Sequence, residues 1–380
     1  MGPTIGKSAS ALLTLPFALA IALLTAMPAA AQSGKLGFVV RDWFDAVYNS
    51  KFSDECPEGL ATPNDELWWL ALSKQDRAKL TNNGLTQTLT RQGIAFRRGP
   101  KKEDVCLVPT VIVDPPQRIV EGKYSYGANI DGTFDGHATA KSCAHEKFTG
   151  LDGTPGVDNQ MYRLVGCHYG WRRGGGVDAN AHEMRGTSGL GMVLIEVTGV
   201  NDRDPRNSDN VTVTIYRSTD QFTFDGTGRP LPFSSYRIAM DRGKPVYGDS
   251  LKGSIKDGVL KTERGDVHVP FYGHYNFIRA FMRDMDLTLM IAPDGATAKG
   301  MITGYFSLDD FLYYDGGMSG HTSAGDSCPA MYDMGVRLAD GYPDPKTGEC
   351  TMLSSAFELG TYAAFVVHPD VKPKNKIARQ

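Results

Sequence analysis

Apolar residues that recur at every second position constrain this chain more than any other feature. Val193, Ile195 and Val197 fall on one face of an extended segment, as do Val211, Val213 and Ile215, and again Leu287, Leu289 and Ile291. A helix face repeats every 3 to 4 residues, about 3.6 on average, so this alternation belongs to half-buried antiparallel strands. The turns carry their own signature. Asp-Gly begins at Asp131, Asp135, Asp152, Asp225, Asp257, Asp294, Asp315 and Asp340, all beyond residue 130. That dipeptide readily takes the positive φ that tight hairpins require. Leu251–Lys256 is therefore expected to turn at Asp257-Gly258, and Leu287–Pro293 at Asp294-Gly295. The expected fold is mainly β: an antiparallel β-sandwich or jelly roll, with a β-barrel as the alternative.

Turn chemistry also accounts for most of a glycine excess, 43 of 380 residues. The remaining composition excludes classes. A net charge of −3 argues against a general nucleic-acid-binding surface, and 41% hydrophobic residues argue against disorder. The first residues read as an export signal: Lys7 as the lone charge, an apolar run from Ala11 to Met27, and Ala29-Ala30-Ala31 before Gln32. Cleavage after Ala31 would leave a chain with no apolar run of the roughly 20 residues a membrane span needs. The expectation is a periplasmic or secreted protein with no transmembrane anchor after cleavage.

All six cysteines, Cys56, Cys106, Cys143, Cys167, Cys328 and Cys350, lie in the exported part. An even count in an oxidising compartment suggests bridges. Pairing of neighbours would give Cys56–Cys106, Cys143–Cys167 and Cys328–Cys350.

Texture divides the chain into a signal (1–31), a mixed α/β N-terminal region (32–117), a β-sandwich domain (118–315) and a disulfide-containing C-terminal extension packing on it (316–380). Within the N-terminal region, Asn64–Leu80 reads as a helix with acids in its first turn, and Trp68 and Trp69 point to different sides. In the extension, Pro329–Ala339 reads as a short helix and Ala356–Val367 as a strand. Lys372, Lys374, Lys376 and Arg379 form a basic, solvated tail.

Chemistry-bearing residues concentrate between Asn129 and Gly191. Asp131 and Asp135 flank one glycine turn, and Asp152, Asp158 and Asn159 mark a second. Calcium takes six to eight hard oxygens from such loops, so these five residues are a candidate calcium set. The stretch Asp152-Gly153-Thr154-Pro155-Gly156-Val157-Asp158-Asn159 resembles the acidic turns of thrombospondin type 3 calcium repeats, without their preceding aspartate run. That resemblance implies calcium at these eight residues alone. His137, His145, His168 and His182 form an alternative, transition-metal set. Neither His145-Glu146 nor His182-Glu183 continues as H-E-x-x-H, because Thr149 and Gly186 stand in the last position.

Several activities lose their motifs. No C-x-x-C-H or G-x-S-x-G occurs, and Gly174-Gly175-Gly176 lacks the residues of a phosphate loop. The predicted mature terminus is Gln32, which removes an N-terminal histidine copper site. Asp309 and Asp310 stand beside Phe311, Tyr313 and Tyr314, a composition found in sugar sites. The stretch Asp152–Gln160 with Gly166-Cys167, and the strand–loop–strand from Val193 to Tyr216, resemble exported β-rich proteobacterial proteins, which implies export and a β architecture. The functional expectation is an exported soluble binding protein, calcium-stabilised, for a glycan or another envelope ligand. The alternatives are a secreted metal-assisted or carboxylate-based hydrolase, and a structural or accessory partner of an envelope complex.

Overall fold

The computed structural model describes residues 34–44, 48, 52–61, 69, 72–82, 98–189, 191–273, 276–318 and 327–369. The expected export signal, Trp68 and the basic tail lie outside them. In chain order, β1 (Lys35–Phe44) is followed by a long insertion. It carries α1 (Phe52–Glu55), α2 (Lys74–Asn82), β2 (Phe148–Thr149), β3 (Pro155–Val157), α3 (Gln160–Val165) and α4 (Gly176–Ser188). Next come β4 (Met192–Thr198), β5 (Ser208–Ser218), β6 (Ser234–Arg237), β7 (Met240–Asp241), β8 (Lys244–Pro245), β9 (Ser250–Lys256) and β10 (Val259–Thr262). They lead into β11 (Gly265–Gly273), β12 (Asn276–Ile291) and β13 (Thr297–Ser307). The chain ends with α5 (Leu308–Met318), α6 (Cys328–Leu338), β14 (Gly341–Pro343) and β15 (Cys350–Val367).

The structure is mainly β, 40% strand and 18% helix, and closes as an antiparallel barrel of eight strands. The strands run β4-β5-β9-β10-β12-β13-β15 in chain order, and β1 closes the ring between β15 and β4. The barrel replaces the sandwich as the architecture. Alternation fixes which side chains face inward, but it is the same in an open pair of sheets and in a closed one. Closure depends on a pairing between opposite ends of the chain, Phe38 with Ala363 and Trp43 with Leu359. β1, from the region 32–117, and β15, from the region 316–380, are both staves of the barrel.

Local signals hold where local physics decides. Between β9 and β10, Asp257 (φ 50°) and Gly258 (φ 81°) both adopt the left-handed region, as a two-residue hairpin turn requires. α6 starts one residue before its expected position, capped by Ser327, whose hydroxyl accepts from the Ala330 amide at 3.2 Å. The helix expected over Asn64–Leu80 is interrupted: among its described residues Leu72 and Ser73 are not helical, and α2 begins only at Lys74 and runs on to Asn82, because the Ser73 hydroxyl accepts from the Asp76 amide at 3.1 Å and starts a new helix there.

The inward residues fill the barrel. Phe38, Val40, Val193, Ile195, Val213, Ile215, Leu260, Leu287, Leu289, Ile302 and Phe357 belong to one buried cluster. It continues into the helical insertions through Leu164, Trp171, Phe311 and Met331. Eight strands enclose just enough space for side chains to occupy. The outer faces of β1, β4 and β15 are covered in turn by a layer containing Phe222, Tyr236 and Ile238.

Three disulfides form, and their pairing corrects the neighbour scheme: Cys56–Cys167, Cys106–Cys328 and Cys143–Cys350. The bridges span 111, 222 and 207 residues. The insertion folds back onto α6 and β15, so cysteines remote in sequence become neighbours. The first bridge ties two parts of the insertion; the others tie the insertion to the C-terminal third.

Candidate functional site

Two places gather functional side chains. The first is a buried polar cluster where the insertion meets β14 and β15. The disulfide Cys143–Cys350 lies beside it, and the Cys143 amide donates to the Asp340 carbonyl at 2.8 Å. His145 and Lys147 are two residues apart in the chain entering β2 and reach the same carboxylate. Asp158 leaves β3 just before Asn159, whose side chain caps α3 by accepting from the Tyr162 amide at 3.1 Å.

Asp158 is fully buried and is the hub. Its Oδ2 accepts from the Ile130 amide at 2.6 Å, and its Oδ1 meets His145 Nε2 at 2.7 Å and the Lys147 ammonium. Lys147 Nζ also bonds Asp131 Oδ1 at 2.7 Å, and Asp131 accepts from Thr133 and Ser142. Asp340 Oδ2 stands 3.5 Å from the same Nε2, while Asp340 Oδ1 accepts from the Ser354 amide at 2.7 Å.

Burial and charge tune these groups in opposite directions. Full burial pushes Asp340 up to about 6, against the pull of His145 and the Ser354 hydrogen bonds. For His145, burial opposes the charged ring, but the hydrogen bond to Asp158 and the charge of Asp340 outweigh it, so its pKa is raised. Burial also opposes ionisation of Asp131, yet Lys147 and Thr133 hold its carboxyl below the usual range. The Tyr305 phenol is pushed up by burial and by the surrounding carboxylates.

This cluster draws on both sequence-derived metal sets and completes neither. From the calcium set it takes Asp131 and Asp158; from the histidine set it takes His145. Asp135 is exposed and pairs with His137, and Asp152 is exposed and closes its own turn through the Thr154 amide at 2.9 Å. Asn159 is buried beneath α3, donating to Ser125 Oγ and the Tyr126 carbonyl. His168 is buried at the turn after Cys167, and His182 sits on α4 with its Nδ1 3.3 Å from Asp42. The four histidines therefore occupy separate environments. Among the described residues, Asp131, His145 and Asp158 form the one group whose ligand atoms all lie within 4.8 Å of one another.

Sequence reasoning missed Lys147, Tyr305 and, as a site residue, Asp340. Asp340 precedes a glycine and so reads in the sequence as one more turn. Gly341 instead lets a ring pass: a Cβ there would lie 2.2 Å from Tyr305 Cδ1. The paired acids Asp309 and Asp310 start α5, where Asp310 accepts from the Phe281 amide at 2.8 Å.

The second place is a surface groove between α4 and the barrel wall, with a volume of about 770 Å³. Phe44 and Phe224 supply aromatic surface, and Arg173, Asp178, His182 and Glu183 also line the groove, whose exposed wall is mainly apolar. Arg173 stacks over Phe44 at 4.2 Å and bridges Glu358 at 2.7 Å, so its planar face is held in place. Arg41 donates to the His182 carbonyl at 2.6 Å, anchoring α4 to β1. Burial, aided by Arg41, lowers the His182 pKa; burial also raises that of Asp178, against the Gly174 amide.

No known protein family, characterised protein or solved structure matches this chain.

Proposed function

We propose that this chain is an exported binding protein, periplasmic or secreted, that holds a glycan in the groove beside α4. The observation that carries the reading is the groove itself: Phe44 and Phe224 next to Arg173, Asp178, His182 and Glu183. A sugar ring has an apolar C–H face and a hydroxyl rim. Aromatic surface flanked by a few carboxylate, imidazole and guanidinium groups suits both. The filled barrel favours this external site over an internal one, since its core side chains leave little room for a ligand. Three disulfides fit an oxidising compartment. The binding reading is preferred to a carboxylate-based hydrolase because Asp131 and Asp158 have side chains 0% exposed, beyond the reach of a polymer.

The test is a glycan array followed by calorimetric titration of the best oligosaccharide from envelope polysaccharides. Phe224→Ala and Glu183→Gln alter exposed positions and leave the core intact. Each should weaken binding at least tenfold. An array without binders, or an affinity unchanged in both variants, refutes the assignment. Pull-down of a protein partner with the groove variants unaffected would favour the accessory-partner alternative.

A further inference from the structure

The buried cluster has features that an ion-pair network alone leaves unexplained. His145 Nδ1 is bonded to the Cys143 carbonyl at 2.8 Å, which points Nε2 at the carboxylates. A carbonyl on the far nitrogen is how metal-binding imidazoles are commonly oriented. Two buried polar atoms also face the cluster without a hydrogen-bond partner: Asp340 Oδ2 and the Tyr305 hydroxyl. Both residues are 0% exposed. Asp340 Oδ2 stands 3.5 Å from His145 Nε2, and the Tyr305 phenol feels the charges of Asp340, Asp158 and Asp131. Buried polar atoms are nearly always satisfied, so an unpartnered carboxylate oxygen 3.5 Å from His145 Nε2 marks a missing partner.

Charge leads the same way. Three carboxylates (Asp131, Asp158 and Asp340) face a single permanently cationic side chain, Lys147. A dication beside a neutral His145 would bring that set to neutrality with Lys147 still nearby. From this geometry we infer a structural site for one divalent transition-metal ion of the zinc type. Its ligands are Asp131, His145 Nε2 and Asp158, and Asp340 Oδ2 is the further donor. Zinc suits a nitrogen-plus-carboxylate set, whereas calcium takes six to eight oxygens and gains little from an imidazole. Lys147 is the built-in competitor. Its ammonium spans Asp131 and Asp158, and it must swing aside, its side chain already 6% exposed, for the ion to enter. The bound ion would clamp the insertion to the segment entering β14. This site is independent of the ligand in the groove.

The experiment uses untagged full-length mature protein, stripped with chelator and titrated with zinc, with cobalt as a spectroscopic probe and with calcium as a competitor. The expected result is one zinc per chain, a cobalt absorption band characteristic of nitrogen and oxygen ligands, and no displacement by calcium. His145→Gln should weaken zinc at least tenfold, and Lys147→Met should tighten it at least tenfold. Circular dichroism checks that each variant is folded. If His145→Gln does not fold, the wild-type and Lys147→Met titrations decide alone. The proposal is overturned if neither the wild type nor Lys147→Met retains zinc, which would leave an ordered water as the partner of the two buried atoms. It is equally overturned if folded His145→Gln binds as tightly as the wild type, or if calcium displaces zinc.

Discussion

Replacing Asp158 with asparagine keeps its shape and removes its charge. In the metal-free protein, Asp158 is fully buried and accepts from the Ile130 amide, His145 and Lys147. Asp158→Asn leaves Lys147 with Asp131 as its remaining carboxylate and aims an amide that cannot match both cations. Removing one partner of a buried pair costs about 3–5 kcal/mol, because the other charge stays desolvated. At about 2 °C per kcal/mol for a chain of this size, Tm should fall by roughly 6–10 °C. Thermal and urea unfolding followed by circular dichroism, in chelator at pH 7, measures the change. Adding Lys147→Met removes the stranded cation and should restore at least about 1 kcal/mol, a coupling of the size expected for groups in contact. A loss below about 1 kcal/mol for the single variant would show the cluster to be hydrated. Strictly additive effects in the double variant would show that Lys147 and Asp158 do not depend on each other. Either result refutes the reasoning.

Further predictions concern the same region. Asp340 and His145 have folded pKa values raised above 3.8 and 6.5, so their contributions are complete below those values and are lost as pH rises through the folded ones. Asp131 is depressed, so its contribution is present above 3.8 and is lost as pH falls. In the stripped protein stability should therefore peak near pH 4 and decline from there as pH rises through about 6, and Asp340→Asn should flatten that first decline; a Tm that climbs steadily to pH 8 in the wild type would contradict this. In stripped protein, Tyr305→Phe removes a buried hydroxyl that lacks a partner and should leave Tm unchanged or raise it, whereas a loss above about 1 kcal/mol would show that the hydroxyl is bonded. A non-reducing peptide map should recover Cys56–Cys167, Cys106–Cys328 and Cys143–Cys350. The paired change Cys143→Ala with Cys350→Ala should cost about 2–4 kcal/mol in chemical unfolding.

Neighbouring residues decide the features that can be read from the chain alone. Alternation at Val193, Ile195 and Val197 set the inward face of β4, because successive strand side chains point to opposite sides. Asp257-Gly258 made a hairpin because both residues tolerate positive φ. Ser327 stopped the chain ahead of α6 by capping it. Everything that joins distant residues was decided by the tertiary structure. The barrel rather than the sandwich follows from β1 meeting β15, and the strand pattern is identical in both. Cysteine pairing follows from the insertion folding back onto α6 and β15. The buried cluster brings Asp131, His145, Lys147 and Asp158 to Asp340 across about half the chain, and Asp340 carries the same Asp-Gly signature as an ordinary turn. A dipeptide reports its own backbone preference. It carries no information about which desolvated charges the fold will place beside it.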